Sequence, residues 1–140
     1  GSVALTGVGG TAATGTVTLG GGAGDVTVTL NGEALAAVPF NTDDDTTAED
    51  LETAINGESD FGGVLLSALA VGSVGTITAT AEGVAGNVTL VSTRTAGTAT
   101  ASGPTLTGGV DGSVAVTLNG TLVTTDTTTL DPDTCQGAYP

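Results

Sequence analysis

From Asn41 to Glu52 the chain reads NTDDDTTAEDLE, with oxygen-bearing side chains at the first, third, fifth, seventh, ninth and twelfth places. This is the spacing of a calcium loop, in which a hard cation collects roughly six to eight oxygens. Asn41, Asp43, Asp45, Glu49 and Glu52 are the candidate ligands, so calcium is the one cofactor the sequence suggests. Two departures count against it: Thr46 stands where such a loop turns on glycine, and Ala48 stands at the aliphatic place two residues on. Carboxylates are also stabilised at a helix N-terminus by the helix dipole alone.

Covalent and acid–base catalysis lack their parts. The chain has no His, its single base is Arg94, and its single thiol, Cys135, has no basic neighbour to activate it. Gly20-Gly21-Gly22-Ala23-Gly24 leads into a strand rather than a helix, so it is not a phosphate loop. No catalytic residue is assigned, and a non-enzyme is expected. Without lysine, isopeptide staples and lysine-linked polymers are excluded as well. Cys135 cannot form a disulfide within its own chain, which leaves a free thiol in the tail or a bridge between chains.

With 15 acidic residues and a net charge of −14, the surface repels nucleic-acid phosphates and anionic lipid headgroups. No apolar run approaches the roughly 20 residues of a membrane helix. The chain starts at Gly1 without Met or a charged-then-apolar leader, which reads as a processed mature form, or as Gly1-Ser2 left over from cloning.

The elements that must carry these residues are mostly strands. Threonine is the commonest residue and there are 24 glycines, the first suited to a pleated, half-buried surface and the second to turns. Val26, Val28 and Leu30 alternate with Thr27 and Thr29, the period of a strand with one buried face. Asn31-Gly32 then signals a type I′ hairpin into a third strand, about 34–40. The one convincing helix is predicted over about 47–56, with Thr46 as cap, Glu49 completing a capping box and Gly57 as the stop. Strands follow at about 64–71, 76–81 and 88–93. The expectation is a mainly β, α+β fold: an antiparallel sheet or sandwich of about 7–9 short strands with one helix.

The Thr-Val-Thr strand, the strand ending in Asn-Gly, the helix ending Ala54-Ile55-Asn56, the Thr-Ile-Thr-Ala-Thr-Ala strand and the run Gly83-Val84-Ala85-Gly86-Asn87-Val88-Thr89-Leu90 together resemble a β-rich module of contractile-phage tail sheath and related tail proteins. The closing Leu106-Thr107-Gly108-Gly109-Val110-Asp111-Gly112 is similar to the end of that module. The resemblance covers about residues 15–112. It implies a module at home in repetitive, strand-sharing assemblies, not a whole sheath subunit.

The segment VTLNG occurs twice, at Val28 to Gly32 and at Val116 to Gly120, and at a constant offset Gly20-Gly21 falls on Gly108-Gly109, Val26 on Val114 and Leu30 on Leu118. Either a hairpin simply recurs in one sheet, or the C-terminal strand is built for a slot in a neighbouring subunit. The organisation expected is an N-terminal arm over 1–15, a core module over 16–112, and a C-terminal strand and tail over 113–140. The inter-subunit strand residues are Val3, Leu5, Val114, Val116, Leu118 and Leu122. Burying four aliphatic side chains at about 1.5 to 3 kcal/mol each yields about 6 to 12 kcal/mol. Association costs about 4 to 15, so side chains alone leave the contact marginal and a backbone ladder is needed to tip it. The function expected is a non-enzymatic structural subunit, extracellular, on a cell surface or virion-borne, that forms a head-to-tail filament with copies of itself. The alternatives are a phage tail component and a monomeric extracellular binding or adhesive module, calcium-dependent if the acidic stretch is a site.

Overall fold

The computed structural model of the chain describes residues 2–126. It is mainly β, with eleven strands in three antiparallel sheets and one α-helix among those residues. β1 (Val3–Val8) leads into β2 (Ala12–Gly20), β3 (Val26–Leu30) and β4 (Glu33–Ala34). Helix α1 (Asp44–Glu58) follows, then β5 (Asp60–Phe61), β6 (Val64–Val71), β7 (Val74–Glu82), a single 3₁₀ turn at Val84–Gly86, β8 (Leu90–Arg94), β9 (Thr98–Ala101), β10 (Ser113–Leu118) and β11 (Thr121–Asp126). Apart from the one expected over 34–40, the expected strands are found with small shifts in their ends, and further short strands raise the number above the nine expected.

A five-stranded sheet runs β5-β6-β7-β2-β9 and a three-stranded one runs β4-β3-β8. Alternation decides which face is buried. Val26, Val28 and Leu30 are fully buried while the threonines between them are only partly covered. They join Val17, Leu51, Ile55, Phe61, Ile77 and Leu106 in one hydrophobic cluster. The two sheets meet closely at Gly15, where a Cβ would stand 2.6 Å from Leu106 Cδ2 and 3.2 Å from Leu90 Cδ2. Asn31 and Gly32 take the positive φ values, 50° and 79°, that a type I′ turn requires.

Two elements differ from the sequence expectation. The helix begins three residues earlier than predicted, because Asp43 rather than Thr46 is the cap: its Oδ1 accepts a hydrogen bond from Thr46 N at 2.8 Å. Gly57 lies inside the helix, which ends at Glu58 and is capped by Ser59, whose N–H returns to Ile55 O. The strand expected over 34–40 stops after Ala34. Leu35 N still reaches Val28 O, but Val38 pairs with Val26, so three residues on one side span two on the other, a bulge that ends the ladder.

The third sheet, of order β1-β10-β11, is made from the two ends of the described chain. Its legs leave the core together: Thr11 N donates to Val110 O at 2.9 Å, and Val110 N to Thr11 O at 3.0 Å. Beyond them its strands contact chiefly one another. The N-terminal strand thus has a partner in its own chain, β10, with Val3 opposite Leu118, Leu5 opposite Val116 and Gly7 opposite Val114.

Candidate functional site

The acidic stretch folds as a helix start. Asp43 is committed to its cap bond, and the Thr46 backbone and hydroxyl hydrogen bonds hold its carboxyl below the ordinary Asp range. Asp45 sits in the first turn, favoured by the dipole. Asn41 Nδ2 donates to Asp50 Oδ2 at 2.9 Å, and Glu52 Oε2 accepts from Ala70 N at 2.6 Å. From Asp44 onward the candidate ligands follow a helix instead of curling around a point, so Asn41, Asp43, Asp45, Glu49 and Glu52 are not brought together. Among the described residues no group of three His, Cys, Asp or Glu side chains converges. Cys135 lies outside the described residues.

The strand residues behave differently. Antiparallel partners share a face, so the register of β1 and β10 puts Val3, Leu5, Val114, Val116 and Leu118 on one side of the terminal sheet. Five of the six residues singled out from the sequence therefore form one aliphatic patch. Val3, Leu5 and Leu118 are 64%, 70% and 47% exposed, and Val114 and Val116 are half-buried. Leu122 pairs with Thr117 through its backbone, and its side chain lies outside the described residues. Neither β1 nor β10 carries a charge, and β11 carries only Asp126, in a chain of net charge −14.

The repeated VTLNG explains why this face is apolar. Asn119 and Gly120 repeat the turn of Asn31 and Gly32, with φ values of 51° and 78°. β10 and β11 are thus the same hairpin as β3 and β4, and β1 stands against β10 as β8 stands against β3. In the first copy the aliphatic face is covered by the core; in the second, Leu118 is exposed where its counterpart Leu30 is fully buried.

Edges make the same contrast. β6 forms the long flank of the five-stranded sheet, and α1 covers its backbone: Asn56 donates to Ala68 O at 3.0 Å and accepts from Ala68 N at 2.8 Å, as a strand residue would, and Glu52 takes Ala70 N. β1 is an edge strand of six residues with no charge and no proline, so it has none of the devices that discourage pairing with another chain.

One apolar surface escaped the sequence reading. The run Val64 to Val71 is a near-continuous apolar strand in sequence, yet Leu65, Leu69 and Val71 are 51%, 61% and 72% exposed. Only Leu66 is fully buried there, because the core lies on one side of β6. The signal was the lack of alternation itself, which periodicity alone cannot assign to one buried face or two. Where β6 and β7 part, a cavity of about 350 Å³ opens, lined by Val64, Leu65, Ala79, Ala81, Glu82 and Ala85.

No protein-family model, curated protein or solved structure matches this chain. No described helix is long and apolar enough to cross a membrane.

Proposed function

We propose that this protein is a non-enzymatic structural subunit, extracellular or virion-borne, that assembles with copies of itself into a filament by sharing its terminal β-strands. The observation that carries the reading is the terminal sheet: two uncharged strands, β1 and β10, with an aliphatic face left exposed among the described residues and an unprotected edge at β1. Covering such an apolar face stabilises it in proportion to the area removed from water, and exposed patches of this kind mark interaction sites.

Magnitude decides what kind of contact this is. At about 4.8 Å between strands and about 3.4 Å per residue, three strands of six residues present a face of about 14 by 20 Å. Covering it buries about 600 Å² over both partners, short of the roughly 1,000 Å² of a stable interface. A backbone ladder adds the rest. β1 is tethered by Gly9, where a Cβ would meet nothing within 4 Å. It can leave its own β10 for that of a neighbour with the same register, as a swapped element does at low cost. Because β1 and the acceptor β10 lie in different copies, the contact repeats head to tail.

Electron microscopy and light scattering of the intact chain beside a chain lacking residues 113–140 test the reading. Filaments from the first and monomers from the second are expected. A stable monomer from the intact chain would overturn it and leave the extracellular binding module as the better reading.

A further inference from the structure

We infer that the aliphatic face of the terminal sheet docks on the outer stripe of β6, formed by Leu65, Leu69 and Val71, of a second copy. The inference rests on the self-assembly reading and names the surface that receives the subunit. Ten large aliphatic side chains are exposed among the described residues, and six of them lie on these two faces: Val3, Leu5 and Leu118 on one, Leu65, Leu69 and Val71 on the other.

Two further observations point to a second copy of this chain as the occupant. Electrostatics comes first: two chains of net charge −14 can approach only through surfaces free of carboxylates. β1, β10 and β6 are uncharged along their whole length, and β7 and β2 present Thr76, Thr78, Thr14 and Thr16 outward; the nearest carboxylates, Asp60 opposite Leu65 on β5 and Glu82 at the end of β7, both lie at the Leu65 end, so Leu69 and Val71 form the uncharged part of the stripe. Internal repetition comes second. The twin hairpin of β3 and β4 has its aliphatic face packed on the five-stranded sheet of its own molecule; the face of β10 is the same in sequence, and the surface left to cover it is that sheet's opposite side in another molecule.

Pairing these faces with each other covers both with one kind of contact, whereas packing two terminal sheets face to face would leave the β6 stripe in water. A face and a receiver at different places on one molecule make a heterologous contact, which propagates.

Complementary variants test this. Leu5→Asp spoils the docking face and Leu69→Asp the receiver; both positions are exposed, so circular dichroism and thermal midpoints should match the wild type. Val3→Asp with Val71→Asp is the second pair if either fails to fold. Each variant alone is expected to stay monomeric at concentrations where the wild type forms filaments, a rise of about 100-fold or more in the concentration needed. An equimolar mixture should form a one-to-one dimer and stop, because one good face meets one good receiver. If Leu69→Asp assembles like the wild type, the stripe is not the receiver, while strand sharing stands. If both variants are blocked and the mixture still yields no dimer, the two faces do not meet. If the wild type itself stays monomeric, the assembly reading fails and this inference fails with it.

Discussion

Arg94 is the only base in the chain, and its side chain is fully buried. Its Nη1 lies 2.8 Å from Asp44 Oδ1, its Nε and Nη2 each donate at 3.0 Å to Gly24 O and Gly22 O, and the guanidinium lies over the Phe40 ring. One charge thus ties the helix start to the glycine turn between β2 and β3, and no positive charge is left on the described surface for an acidic partner. Arg94→Met should lower stability by about 3 kcal/mol in denaturant unfolding, since removing one member strands buried carbonyls; an unchanged midpoint would show that the turn holds without it. Asp43 offers a pH test. Its folded pKa is depressed, so its contribution is present above the unfolded carboxylate range and is lost as pH falls through that range to the lower folded value. The thermal midpoint of Asp43→Ala should therefore lie below that of the wild type at neutral pH, and the gap should close in acid.

The hairpin is the element on which the molecule is built twice. Gly32 and Gly120 hold nearly the same positive φ, 79° and 78°, so replacing either by alanine adds strain of about 1 kcal/mol. The cost should surface in different places. Gly32→Ala should lower the melting temperature, because β3 lies in the core, whereas Gly120→Ala should leave melting unchanged and weaken assembly. Equal losses of melting temperature would mean that the terminal sheet folds as part of the core. Much of this was legible in the sequence: the Asn-Gly turns, the alternation of Val26, Val28 and Leu30, the helix, and the aliphatic residues of the terminal strands are all local signals. The pairing of β1 with β10 was not, since Val3 and Leu118 are joined only through the folded core. The single-sided burial of β6 was hidden because an apolar run looks the same whether one face is covered or both. The helix start was misplaced because Asp43 and Thr46 are both good caps, and the Asp43 carboxylate took the bond.

At the scale of the whole molecule, the distribution of charge is the organising feature. Residues 1–24 and 112–125 are uncharged, and every acidic residue of the described chain except Asp126 falls between them. The termini can therefore meet other copies while the middle keeps the particles apart in solution. This sets a salt dependence: raising ionic strength from about 0.01 M to about 0.15 M shortens the screening length from about 30 Å to about 8 Å, so assembly should begin at lower protein concentration, as followed by light scattering. A rise instead would mean that attractive ion pairs hold the subunits. The most direct test of the central claim is electron cryo-microscopy of the protein after assembly, tracing residues 3–8 and 113–118 across the junction between neighbouring subunits. The account predicts both strands at that junction, paired in one sheet, with β1 and β10 drawn from different subunits. A junction formed elsewhere, with the terminal sheet still facing water, would contradict it.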